Sequence, residues 1–184
     1  MNGEKYKAKM RFFHPNLKGT GCALSLELQP ANGDGEGCIM ASFANQLTVG
    51  NRQAAIPTYP TFNWEGAVTV KLDFSDLCRI LQVLRGECES IEEGKGLYHR
   101  SSKAGTKINI RHLIEPVQGY VFEVHRVANE GGAENRAMIM FTPWEALGVA
   151  ESIAGSMSAI CFGVPKNAGV AQSVKKTGNA HEAA

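Results

Sequence analysis

Apolar and polar residues alternate along much of this chain. Cys22, Leu24, Leu26 and Leu28 interleave with Ala23, Ser25, Glu27 and Gln29, the two-residue period of a half-buried strand. Similar short runs at residues 10–14, 37–43, 67–74, 96–100, 106–114, 120–126 and 137–141 are separated by Gly-, Asn- and Pro-rich turns and predict further strands. Two segments switch to helical spacing. Residues 75–85 place Leu77, Ile80, Leu81 and Leu84 on one side, with Ser75 as the expected cap and Gly86 as the stop. The second helix opens at Thr142-Pro143-Trp144-Glu145, where Thr142 and Glu145 have the spacing of a capping box and Pro143 suits the first helical position. Its expected apolar side runs through Leu147, Ala150, Ala154, Met157 and Cys161, ending before Gly163 and Pro165. Gly148 and Gly155 weaken this helix in isolation, which points to close packing against something.

The order is four strands, a helix, four strands, a helix: an α+β domain built as a duplicated β4α unit. Its connections are too short for crossovers, so the sheets are antiparallel. Residues 1–163 read as one folded domain. Residues 164–184 are small and polar, with Lys175 and Lys176, and read as a flexible tail.

A chain of 184 residues with 43% hydrophobic and 20% charged residues supports one packed core and excludes wholesale disorder. No run approaches the roughly 18 apolar residues of a membrane span. The first 13 residues carry Lys5, Lys7, Lys9 and Arg11 without an apolar stretch behind them, unlike a secretory signal. Cys22, Cys38, Cys78, Cys88 and Cys161 are scattered with no CxxC pair. Neither a disulfide framework nor a zinc site is expected, and a reducing cytoplasm fits best.

Nineteen Lys and Arg against eighteen Asp and Glu exclude a histone-like polycation, but the charge is unevenly spread. Lys5, Lys7, Lys9, Arg11 and Lys18 cluster near the start, and residues 95–111 hold Lys95, Arg100, Lys103, Lys107 and Arg111 with no acid among them. Alternation puts Lys107, Asn109 and Arg111 on one strand face and Ile108 and Ile110 on the other. The preceding strand adds Tyr98, His99 and Arg100. Cations that follow phosphates and rings that stack on any base are what single-stranded nucleic acid requires. The plain alternative, a solvated hairpin with ordinary surface charge, stays open on pattern alone.

Other chemistries are weaker. His99, His112 and His125 lie on three successive predicted strands, but no tight metal-ligand motif accompanies them. Asp73 and Asp76 flank a helix start, where acids favour the dipole, and Glu92 and Glu93 lie in a turn. Cys22 and Cys78 sit in apolar patterns and read as core. The acids of Gly33-Asp34-Gly35-Glu36-Gly37 would repel a phosphate, so a hairpin loop is the better reading. No enzyme motif stands, and neither cofactor nor metal is expected.

At this point the residues resemble a family. Lys18-Gly19-Thr20-Gly21-Cys22-Ala23-Leu24-Ser25 resembles the Lys-Gly-Lys-Ala-Ala-Leu-Ser segment of the Whirly proteins, plant organellar single-stranded-DNA binders. Phe62-Asn63-Trp64 is similar to their Tyr-Asp-Trp stretch, which precedes the same strand and helix. The element order over residues 10–163 looks like the same fold, shared with the kinetoplastid mitochondrial RNA-binding pair. Counting back from Leu24-Ser25, Gly21 stands where the motif has its second lysine, and residues 48–60 look like a longer loop. The resemblance implies two four-stranded antiparallel sheets packed crosswise, helices holding a homotetramer together, and single strands lying across sheet edges with little sequence preference.

The expected function is therefore non-enzymatic single-stranded-DNA binding in replication, recombination or repair, in the cytoplasm of a bacterium or its phage. Lys18, Arg100, Lys103, Lys107 and Arg111 are the expected phosphate contacts. Phe62, Trp64 and Tyr98 are the candidate stacking rings, with a core position for Trp64 equally open. Two rivals remain: RNA binding by the same fold, and an assembly protein that uses its sheets for protein contacts.

Overall fold

The computed structural model describes residues 9–33, 35–129 and 131–164. Strands β1 (Lys9–His14), β2 (Cys22–Gln29), β3 (Cys38–Thr48), β4 (Thr61–Phe62) and β5 (Val68–Leu72) lead into helix α1 (Phe74–Leu84). After a short 3-10 turn at Ile91–Gly94, β6 (Leu97–Arg100), β7 (Ala104–Leu113), β8 (Gly119–Ala128) and β9 (Glu134–Phe141) lead into α2 (Pro143–Phe162). The expected tail, apart from Val164, lies outside the described residues.

The first sheet runs β1-β2-β3 and is completed along the second edge of β3 by two pieces, β5 against Ile39–Phe43 and β4 against Gln46–Thr48. The second sheet runs β6-β7-β8-β9, and all pairings are antiparallel. Register explains the core. Leu24 faces Phe12 and Phe43, Leu26 faces Ala41, and Val70 continues that face. In the second sheet Ile108, Val124 and Ala137 share one face, as do Ile110, Phe122 and Ile139. Phe43 and Phe122 meet edge-on between the sheets, with centroids 5.0 Å apart. Leu77, Ile80 and Leu81 of α1 and Val149 and Ile153 of α2 join the same core.

The helix starts follow backbone chemistry. α1 begins at Phe74 because Asp73, not Ser75, is its cap. The Asp73 carboxylate accepts the Asp76 amide at 2.9 Å, and Asp76 accepts the Asp73 amide at 3.2 Å. The acids at this helix start thus satisfy its free N–H groups. Thr142 and Glu145 make the corresponding box on α2, with Pro143 in the first turn.

The α2 face is a correction. Ala146, Val149, Ala150, Ile153 and Ile160 are buried, whereas Leu147 and Cys161 are exposed. Apolar side chains stand on most sides of this helix, so spacing alone does not select the buried one. A Cβ at Gly148 or Gly155 would meet nothing within 4 Å, so these glycines do not pack closely within the chain. No described helix is long and apolar enough to cross a membrane.

Candidate nucleic-acid interface

Alternation on β6 and β7 delivers Tyr98, Arg100, Lys107 and Arg111 to the outer face of the second sheet, opposite the face that carries Leu97, Ile108 and Ile110 into the core. Tyr98 lies directly across from Lys107, and Arg100 from Gly105. Gly105 allows a close approach: a Cβ there would strike the Tyr98 ring. Tyr98 is 68% exposed, so the ring is available to a partner.

Lys103 occupies the β6–β7 turn. Ser101 receives the Lys103 and Ala104 amides on its hydroxyl, at 3.3 and 3.1 Å. From the end of β8, Asn129 donates its amide to the Lys103 carbonyl at 2.9 Å and its side chain to the Ser102 carbonyl at 2.9 Å. The hairpin tip is therefore tied to the neighbouring hairpin, which fixes where Lys103 begins. Among the described residues, no carboxylate lies within ion-pair distance of Lys18, Arg100, Lys103 or Lys107.

Phe62 and Trp64 belong to a different surface, the outer face of the first sheet. Phe13 joins them there, its centroid 5.6 Å from Phe62 and 6.4 Å from Trp64. Trp64 is 38% exposed, which settles its position: the ring is a surface group, not core. Arg11 lies over it. These rings border a cleft of about 520 Å³ that also touches Pro15, Pro60 and Arg52.

Lys18 sits in the β1–β2 loop. Asn16 shapes that loop by accepting the Lys18 and Thr20 amides at 3.0 and 3.1 Å. Gln46, buried on β3, accepts the Asn16 and Gly21 amides at 2.9 and 3.1 Å and donates to the Asn16 and Thr48 carbonyls. A Cβ at Gly21 would collide with the His14 carbonyl and the Gln46 side chain. This packing explains why no lysine stands at that motif position.

Edge strand β9 joins the two surfaces. Asn135 donates to the Gly66 carbonyl at 3.0 Å, beside the turn that carries Trp64, and Asn45 donates to the Arg136 carbonyl at 3.0 Å. A second cleft of about 510 Å³ runs between Gly19–Gly21 and Arg136–Met138. The Arg136 side chain returns to the outer face of the second sheet, where it pairs with Glu123, as Arg111 does at 4.0 Å. Arg11, Phe13, Arg52 and Arg136 thus join the candidate set.

The histidines are spread among separate contacts. His99 faces Asp76 at 2.9 Å, His112 stacks on Tyr120, and His125 faces Glu134 at 2.6 Å. Burial pushes the Asp76 carboxyl above its ordinary range, and His99 opposes the shift. Burial also pushes the Cys22 thiol up to about 12, so this cysteine is inert at neutral pH. Cys78 is only half-buried.

No protein-family model matches the sequence, and no curated protein matches it. Solved structures do. WHY1 from Arabidopsis thaliana superposes with a TM-score of 0.63 at 14% identity, covering 86% of this chain and 87% of that one. The chain has a Whirly-like fold. The plant transcriptional regulator PBF-2 gives a TM-score of 0.63 at 17% identity, covering 85% of this chain and 83% of that one. MRP1/MRP2 from Trypanosoma brucei gives 0.56 at 13% identity, covering 84% and 86%. A guide-RNA-binding protein complex bound to its RNA gives 0.54 at 14% identity, covering 85% and 93%. The Whirly-like architecture therefore extends over both halves, five strands and a helix followed by four strands and a helix, and agrees with the expected α+β class.

Proposed function

We propose that this chain is a non-enzymatic single-stranded-DNA-binding protein with little sequence preference, serving replication, recombination or repair. One observation carries the reading: Tyr98, Arg100, Lys107 and Arg111 share the solvent-facing side of one sheet, whose edge strand is hydrogen-bonded to the turn bearing Trp64. Phosphates are held by Lys18, Arg100, Lys103, Lys107 and Arg111, while bases stack on Tyr98 and on the Phe62–Trp64 cluster. Little base discrimination follows, because ring stacking and phosphate contacts are indifferent to base identity.

The guide-RNA-bound neighbour supports RNA as the second reading. Competition between DNA and RNA oligomers of matched sequence tests the choice. DNA binding requires that the DNA oligomer displace a labelled DNA probe at a lower concentration than its RNA counterpart. The reverse order would transfer the assignment to RNA.

The protein acts as a homotetramer in this proposal. Trp144, Leu147 and Phe162 are exposed on α2, and Gly148 and Gly155 leave room for a neighbouring backbone. This side of the helix, apolar and small apart from the exposed Glu151, is suited to contact with another copy.

A further inference from the structure

The basic face contains a carboxylate at its centre. Glu123 lies on β8 between Asn109 of β7 and Met138 of β9. Arg111 and Arg136, each two positions along its strand from those partners, reach Glu123 from opposite sides, at 4.0 and 2.5 Å. The Glu123 side chain is only 18% exposed, whereas Arg111 and Arg136 remain 47% and 63% exposed. Glu134, the other described acid on this face, faces His125 near the β8–β9 turn instead.

We propose that Glu123 is an internal competitor for phosphate that sets the preference of this face for single strands over duplex. The inference rests on the reading of the face as a nucleic-acid surface. A carboxylate and a phosphate offer a guanidinium the same pair of acceptor oxygens. Glu123 therefore holds the Arg136 guanidinium directly and attracts that of Arg111 across 4.0 Å, drawing on positive charge that a backbone phosphate would otherwise take. A duplex keeps its bases stacked inside and depends on phosphate contacts. A single strand adds stacking on Tyr98, which Glu123 does not oppose. A flexible single strand can also move its phosphates to Arg100 and Lys107 on the same face, whereas a stiff duplex cannot, so weakening the two arginine contacts costs the duplex more.

The test is Glu123→Gln, which removes the charge and keeps the shape, measured by anisotropy with labelled oligo-dT and with a labelled duplex of equal length. Both should bind more tightly, the duplex by the larger factor, and the log–log salt slope for oligo-dT should steepen by ~0.7 for each guanidinium released. Adding Arg111→Gln and Arg136→Gln to the same chain should abolish the gain. Glu123→Ala repeats the test if circular dichroism finds the Gln variant poorly folded. Unchanged or weaker binding by Glu123→Gln, with weakened binding by the two arginine variants alone, overturns the competitor role and leaves the face assignment standing. If the arginine variants also bind normally, the face assignment fails and the competitor role with it.

Discussion

The guanidinium of Arg11 lies 5.8 Å from the centre of the Trp64 ring. Both groups stand on the outer side of the first sheet, and Phe13, two residues after Arg11, meets the same ring edge-on at 81°. A cation seated on one side of a half-exposed indole pairs a phosphate contact with a stacking surface. Trp64 can therefore report on binding. In a Trp144→Phe background, Trp64 is the sole tryptophan of the two in the sequence. Its fluorescence should be quenched in saturable fashion by oligo-dT, and an unchanged spectrum at saturation would remove Trp64 from the site.

Tyr98 lies across from Lys107 on the outer face of the second sheet, and the two variants separate stacking from charge. Tyr98→Ala should weaken single-strand binding by about 1–3 kcal/mol with little change in salt slope. Lys107→Ala should flatten that slope by ~0.7. Equilibrium titrations at several salt concentrations check both. If affinity and slope survive in both variants, the hairpin is a solvated surface only.

Leu147 is 61% exposed on the outward stripe of α2. Leu147→Asp places a charge there without touching the buried Val149 and Ile153. Sedimentation of the unaltered protein should give a tetramer, and the variant should dissociate with its helix content intact. A wild-type monomer of 19.8 kDa at micromolar concentrations would contradict assembly through this stripe.

Glu145 fastens β1 to the start of α2. One carboxylate oxygen accepts the Thr142 amide and hydroxyl at 2.9 and 2.8 Å, and the other faces His14 at 2.8 Å. Burial pushes this carboxyl up, but the Thr142 hydrogen bonds and His14 together hold it below its ordinary range. A folded pKa below the unfolded one means that ionised Glu145 contributes stability in full above the ordinary carboxylate range. That contribution fades as pH falls through the folded value. Glu145→Gln keeps the accepting oxygen of the capping box but removes its charge, so it should lower Tm at pH 7 through a loss of about 0.5 kcal/mol at the helix start. The gap to wild type should narrow towards pH 3. A gap independent of pH would contradict a role for the charge.

Local chemistry was legible wherever one strand or one cap carried it. Alternation on β7 placed Lys107 and Arg111 together, and the Thr142–Glu145 spacing marked the start of α2. The same alternation on β1 puts Arg11 and Phe13 on one face, a signal present in the sequence. Their meeting with Phe62 and Trp64, about fifty residues further along the chain, depends on β4 pairing with the end of β3, and no local pattern carries that. Arg136 stands outside both charge clusters. Its part in the basic face arises from the β8–β9 register that brings it to Glu123. The buried side of α2 was illegible for another reason, since a helix with apolar residues on most sides is oriented by what packs on it.

The most direct test of single-strand recognition is anisotropy with a labelled oligo-dT of about 30 nucleotides, a length spanning several sites of the ~4–16 nucleotides single-strand binders occupy per module. The titration runs from low to moderate salt with a matched duplex as competitor. Tight binding that weakens as salt rises and resists the duplex is the predicted result. No binding at low salt, or complete displacement by the duplex, would contradict it.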